Sequence, residues 1–383
     1  MKRLISVVIV ILFVLSLFTI TNATKGDKTS YVPTQSNYAD FFDSVMKSDE
    51  WLETEDRIVR GEMLQLPIDM IKAMDTATLV DAVLDYPYFR DIYAFDDMQV
   101  GVGIIFANFN GTQELSQRPD VADVLIDKYT NSEVLSPATI RLMDKEAVGD
   151  TVYELSNIEV LLAQDFVTQR LGDAGVSDLS EIVYKKYTEK IQSPAYGTAT
   201  NTFYRVFDTV CDDATVVKSP ISTKASGTYV YTPNGSSVYV LSLGEQLSSE
   251  QIASNHNWVS TNYPSAVRIG NSTTRYNCHS YAWYFQSHFG NHYWMNNPSA
   301  YWTDGSYTNY SLPMKSDRMI WVTNGSVTHS GTVFDRLAGP VYPPYGYTDL
   351  VLVTSKWGQL GLYRHNGISS PYWVANTYTT FFR

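Results

Sequence analysis

The texture of the chain changes near residue 200, and that break limits the fold more than any single motif does. Residues 24–200 hold 31 acids against 15 bases, whereas 201–383 hold 9 acids and 11 bases. The first stretch places apolar residues at helical spacing. The second holds short alternating runs, most of the Trp and all six His. Period 3.6 and period 2 bury different faces, so one chain with both reads as α+β rather than all-α or all-β. Hydrophobic residues at 44% and charged residues at 18% exclude a disordered chain. The net charge of -12 argues against nucleic acid, which needs a basic surface.

The first 23 residues read as an export signal. Lys2 and Arg3 precede an apolar run from Leu4 to Ile20, and Thr21-Asn22-Ala23 supplies small residues before a cleavage point. An uncleaved anchor is the alternative, since a run of this length can just cross a bilayer. No other stretch is apolar enough to span. The expectation is an exported protein, secreted or wall-associated, with no stable membrane span after signal removal.

Residues 24–37 form a polar lead-in and 38–192 an acidic helical domain. Leu66-Pro67 opens a helical stripe of Ile68, Met70, Ile71 and Met74. Asp75 or Thr76 caps a segment bearing Leu79, Val80, Val83 and Leu84. Asp120 caps 121–129, and Ser136-Pro137 is an N-cap and first-turn pair for 137–146. Residues 151–171 make the longest helical stretch. The acids of this half show no paired spacing for glycosidic work and read as a solvated face. Residues 193–224 are a linker and entry segment. Within 225–383, Thr228–Tyr231 and Val238–Leu241 flank Pro233-Asn234-Gly235, a hairpin signal.

Chemistry concentrates at Arg275-Tyr276-Asn277-Cys278-His279-Ser280-Tyr281-Ala282-Trp283. A cysteine opening a helix faces the positive end of the dipole, which favours thiolate, the nucleophilic form. A base must come from elsewhere. His329 lies 51 residues on, in a strand-like run, and Leu350–Trp357 follows as a second run. Antiparallel pairing of the two returns Ser355 or Lys356 to the imidazole, and Ser355 is the candidate that orients it. His365 is a lesser candidate for an orienting role.

Three other readings stand beside this one. Cys278 pairs with Cys211 as a disulfide, or is an inert buried thiol. Acids beside Cys211 make it the poorer nucleophile. Cys278, His279, His288 and His292 form a zinc set, disfavoured because Phe289-Gly290-Asn291 reads as a turn; no metal and no cofactor is expected. Trp283 and Tyr284 read as core of the cysteine helix. Trp294, Tyr301 and Trp302 line a groove or fill a core.

Asn-Cys-His-Ser-Tyr-Ala-Trp at 277–283, Thr-His-Ser-Gly-Thr-Val at 328–333, Ser-Lys-Trp-Gly at 355–358 and Gly-Leu-Tyr-Arg-His at 361–365 resemble the papain-like peptidoglycan hydrolases of the NlpC and CHAP type. The resemblance covers roughly 225–383. It implies a papain-like domain with a cysteine-bearing helix packed on an antiparallel sheet. It implies Cys278 as nucleophile, His329 as base and a polar third residue, here Ser355. The implied activity is cleavage of amide bonds in cell-wall peptides, with peptide or peptidoglycan as partner. His279 departs from the family, which commonly has Ser there. The helical region resembles parts of secreted proteins of Gram-positive bacteria. A non-catalytic wall- or protein-binding module on the same scaffold is the alternative function.

Overall fold

The computed structural model describes residues 38–198, 202–203, 206–207, 225–244 and 246–383. The signal, the lead-in and Cys211 lie outside these residues. Among them, no helix is long and apolar enough to cross a membrane.

The chain is a mixture of helices and antiparallel sheet. Helices run from Tyr38–Met46 to Asp165–Lys190. Asp75 caps Thr76–Leu84 by accepting from Thr78 N at 2.8 Å. Ser136 caps as expected, yet its helix stops after Pro137–Ile140 and Lys145–Leu162 starts afresh. Asp120 precedes Val121–Asn131 without capping it; its Oδ1 accepts from Thr76 Oγ1 at 2.6 Å instead. The long stretch breaks at Ala163-Gln164 into two helices. The expected linker is packed rather than loose where it is described, with Ala195 and Tyr196 buried.

Nine strands follow among the described residues. β1 (Ser226–Tyr231) and β2 (Ser237–Ser242) form the expected hairpin as a separate two-stranded sheet. The main sheet contains β3 (Val267–Gly270), β4 (Asn309–Tyr310), β5 (Arg318–Thr323), β6 (Ser326–Arg336), β7 (Val351–Trp357), β8 (Gly361–Asn366) and β9 (Thr377–Phe382). Their order is β3-β8-β7-β6-β5-β9-β4, with every neighbour antiparallel. Asn324 (φ 51) and Gly325 (φ 82) make the two-residue β5–β6 turn. Positive φ at both residues is the type I′ geometry that matches strand twist. It sets the register as far as the pair Val322 and Val327, beyond which a bulge at Thr328 brings Trp321 opposite His329.

Side chains alternate across this sheet. On β5, Met319 and Trp321 enter one buried cluster while Ile320 and Val322 enter another. The first cluster also contains the helical half, including Tyr93, Phe95, Val152 and Leu161, together with Trp357, Tyr372 and Trp373. The second holds Ala282 and Trp283 of the cysteine segment and Val230, Val238 and Val240 of the hairpin. The charge break near residue 200 therefore does not mark a break in packing. The described residues from 38 to 383 form one compact unit, and the acidic helices share a buried cluster with one face of the sheet.

Two features bind the halves. Helix Lys145–Leu162 crosses helix Ser249–Asn262 at Gly149, where a Cβ would overlap Glu250 O. Arg57 and Asp91 form a buried ion pair (Nη2–Oδ2 2.8 Å) that also takes the Tyr263 hydroxyl at 2.7 Å. The acids of the first half are thus not all a solvated face: Asp91 and Glu159 are buried, Glu159 against Lys190.

Candidate active site

Asn277 organises the cysteine segment. It is fully buried and uses both ends of its amide. Oδ1 accepts from Ser280 N (3.1 Å) and Met295 N (3.0 Å), which starts the helical turn at Cys278. Nδ2 donates to Met295 O and to Asp96 Oδ2, each at 2.7 Å. The turn runs into a short π-helix, Ser280–Tyr284.

Asp96 is the residue that sequence reasoning missed. It comes from the helical half, yet Oδ2 lies 3.4 Å from Cys278 Sγ, which donates to it, and 3.4 Å from His279 Nε2. Its side chain is 13% exposed. The preceding 3-10 turn, Phe89–Ala94, is held down by the sheet. Tyr372 Oη donates to Ala94 O at 2.5 Å, and Gln359 N donates to Tyr93 O at 2.9 Å. Gly358 (φ 44) lets the β7–β8 turn approach this segment; a Cβ there would overlap Tyr93 O and Ala94 O. The sequence signal was Tyr93-Ala94-Phe95, an apolar run that would draw the adjoining Asp96 inward.

The remaining partners are close. His279 Nδ1 hydrogen-bonds Ser330 Oγ at 2.8 Å, and Trp283 Nε1 donates to the same oxygen at 2.9 Å. The backbone amides of His279 and Ser330 act on the Cys278 thiol in the direction that lowers its pKa. Lys356 Nζ donates to Thr273 O (2.9 Å) and to Gly358 O, and its charge acts on both Asp96 and Cys278. A cleft of about 470 Å³ opens beside the cluster, lined by Phe95, Asp96, Met98, His279, Asn296 and Thr328.

Burial sets the electrostatics. It raises the Cys278 thiol well above the usual range, and Asp96 adds to the rise. The expected thiolate is therefore not the resting form, because desolvation and a neighbouring carboxylate outweigh one short turn of dipole. Burial pushes Asp96 up to about 7 and Lys356 down to about 7. It holds His279 down at about 3.

His329 is not hydrogen-bonded to Cys278. Both of its ring nitrogens are buried without a partner, and the ring stacks on Tyr372 with centroids 3.4 Å apart. Strand alternation is the reason. His329 pairs with Trp321 and shares its face, so the next side chain, Ser330, meets the cysteine turn. β6 and β7 do pair antiparallel as expected. Ser355 orients His365, not His329: Ser355 Oγ lies 2.7 Å from His365 Nε2, whose Nδ1 hydrogen-bonds Asn366 O at 2.7 Å.

The four-residue zinc set is not assembled. His288 hydrogen-bonds Tyr276 Oη and His292 is held by Arg275. Cys278 carries a free thiol. Trp283, Trp294 and Tyr301 are buried, whereas Tyr284 is exposed.

Three buried histidines give a pH expectation. His279, His329 and His365 are neutral when folded, with burial holding them at about 3, well below 6.5, and about 4. Unfolded, each titrates near 6.5, so below that pH the unfolded state binds more protons and stability falls as pH falls. Denaturant unfolding should show a loss of roughly 1 kcal/mol per pH unit per histidine below pH 6.5. Asp96 works in the opposite direction. Equal stability at pH 6.5 and 5 would contradict the burial of these rings.

Compared with family models, with curated proteins and with solved structures, the chain matches none.

Proposed function

We propose that the protein is an exported cysteine hydrolase that cleaves amide bonds, with cell-wall peptides as the substrate class. The observation that carries this reading is the buried Cys278 thiol donating to Asp96, a carboxylate poised near neutrality that itself lines a cleft. The cysteine turn packed on an antiparallel sheet supports a papain-like scaffold, and the basic-apolar-small start of the chain supports export. The base we assign is Asp96 rather than His329.

Cys278 Sγ attacks the carbonyl carbon as its proton passes to Asp96. The amides of His279 and Ser330, which act on the thiol, are the donors assigned to the oxyanion. Asp96 then protonates the departing amine, leaving a thioester. Asp96 next takes a proton from water, whose oxygen displaces the thiol, and the thiol is reprotonated. An acid–base group near 7 serves both directions at neutral pH. Asn277 Nδ2, donating to Asp96 Oδ2 at 2.7 Å, fixes the carboxylate. Because Asp96 must be ionised to act as base, kcat/KM should rise with pH through about 7. A profile flat from pH 5 to 9 would contradict that assignment.

One observation favours the binding reading. Tyr229, Tyr231 and Tyr239 stand exposed on the β1–β2 hairpin, with Tyr229 opposite Tyr239 and rings 5.5 Å apart, in a stretch without charge. On that reading the tyrosines bind the wall, and retention on it survives loss of the thiol.

A further inference from the structure

We propose that Asp96 Oδ2, Cys278 Sγ and His279 Nε2 form a three-ligand zinc site whose open position faces the cleft, so that metal occupancy withdraws the thiol from catalysis. The regulatory half of this statement rests on the cysteine-hydrolase reading; the metal site itself does not.

The three donor atoms all lie within 4.8 Å of one another. The carboxylate oxygen is 3.4 Å from the sulfur and 3.4 Å from the imidazole nitrogen. Zinc binds sulfur at about 2.3 Å, imidazole nitrogen at about 2.0 Å and carboxylate oxygen at about 2.0–2.2 Å. Tetrahedral angles then separate the ligand atoms by roughly 3.3–3.6 Å. Two edges of such a tetrahedron therefore exist before any metal enters. Among the described residues, no other group of three or more His, Cys, Asp or Glu has this geometry.

The surroundings suit ligands as well as a hydrolytic centre. A zinc-bound histidine needs a partner at its other nitrogen, and His279 Nδ1 has Ser330 Oγ at 2.8 Å. The Ser330 hydroxyl can accept from Nδ1–H and from Trp283 Nε1 together, which frees the Nε2 lone pair for metal. Asn277 Nδ2 steadies Asp96 Oδ2. Asp96 Oδ1 is buried with no hydrogen-bond partner. Asp96 and His279 both line the cleft, so a fourth ligand, water or substrate oxygen, has a route in. Three protein ligands and one open position describe an accessible zinc site rather than a closed structural one.

Binding exchanges one proton for one bond: the Cys278 S–H proton leaves to solvent as the sulfur coordinates Zn²⁺. The ion's charge offsets what makes the bare thiolate costly here, namely burial beside a carboxylate. Lys356 is the neighbouring cation that opposes a metal. Its Nζ donates to Thr273 O at 2.9 Å and to Gly358 O. A thiolate–imidazole–carboxylate set selects Zn²⁺ or Co²⁺ over Mg²⁺ and Ca²⁺.

The test uses the full-length chain stripped of metal by chelator. Zn²⁺ is titrated against a chromophoric chelator, and Co²⁺ is added separately as a spectroscopic probe. One equivalent of tight binding and a sulfur-to-cobalt charge-transfer band are expected, both lost in Cys278→Ser. Asp96→Asn should weaken Zn²⁺ binding by about 10–100-fold, and His288→Ala should leave it unchanged. Zn²⁺ should slow alkylation of Cys278 and inhibit hydrolysis. Absence of the cobalt band, or Zn²⁺ binding unaltered by Cys278→Ser, overturns the site. Hydrolysis stimulated by Zn²⁺ overturns the blocking role. Metal binding with the cobalt band, in a protein without thiol-dependent hydrolysis, upholds the site and removes the hydrolase reading.

Discussion

Cys278→Ala is expected to lower cleavage of cell-wall peptides by roughly 10³-fold or more, with little change in the unfolding midpoint. The expectation comes from two properties of the side chain. Its Sγ is the atom on which Asp96, the His279 amide and the Ser330 amide converge, so its loss removes the nucleophile from an otherwise intact setting. It is also small, so truncation leaves only a minor void beside the cleft. Asp96→Asn should cost about 10²–10⁴-fold, the range for a lost acid–base group, while keeping the Asn277 and His279 geometry nearly intact. Turnover of wall peptides by purified protein, with the thermal midpoint measured alongside, checks both. Parent-level cleavage by Cys278→Ala would remove the hydrolase reading and leave wall binding through the hairpin.

Asp91→Ala is expected to be the most destabilising single change, at about 3–5 kcal/mol. Arg57 and Asp91 are 3% and 1% exposed, and removing one leaves the other charged and dry. Asp91 also accepts from the Tyr263 hydroxyl at 2.7 and 2.9 Å. Arg57 lies over the Tyr88 ring at 3.4 Å from its centroid. These contacts join helix Arg57–Met63, the 3-10 turn and helix Ser249–Asn262 at one point. Tyr263→Phe keeps the ion pair and should cost only about 1–2 kcal/mol. Urea unfolding of the three proteins checks the ranking. The site should feel the change too, since the turn bearing Asp91 leads directly to Asp96. Equal stabilities for Asp91→Ala and Tyr263→Phe would mean that the pair carries no such role.

Local signals were the legible part. Alternation marked the β1–β2 hairpin and the β6–β7 pair, and Asp75 and Ser136 capped where their chemistry predicted. Errors came where a local signal had no local answer. The Ser136-Pro137 start was right, but the chain turns after Ile140 because only Lys145–Leu162 has a continuous face to bury. His329 was misplaced by a single position. Ser330 faces the cysteine turn because a bulge at Thr328 shifts the β5–β6 register by one residue, and a strand reverses its faces at every residue. The Asn324-Gly325 turn alone would have paired His329 with Ile320 on the cysteine side, and the bulge that reverses this has no signal in the sequence. Asp96 was beyond reach for a different reason. It lies 182 residues from Cys278 and meets it only because Tyr372 and the Gly358-Gln359 turn pin the Tyr93-Ala94 carbonyls. Nothing in the spacing of acids distinguishes it from Asp97, which is exposed.

The charge asymmetry gains a different meaning from this packing. The acidic half is built onto the sheet and supplies the carboxylate of the site. The role of the helices in the proposed chemistry is thus direct, through one buried acid, while most of the other acids face solvent.

The central claim is that a carboxylate from the helical half controls the Cys278 thiol. The rate of alkylation of Cys278 against pH, in the parent and in Asp96→Asn, measures that control directly. The account predicts that removing the carboxylate lowers the apparent thiol pKa by about one unit or more and speeds alkylation at neutral pH. Superimposable profiles for the two proteins would contradict it.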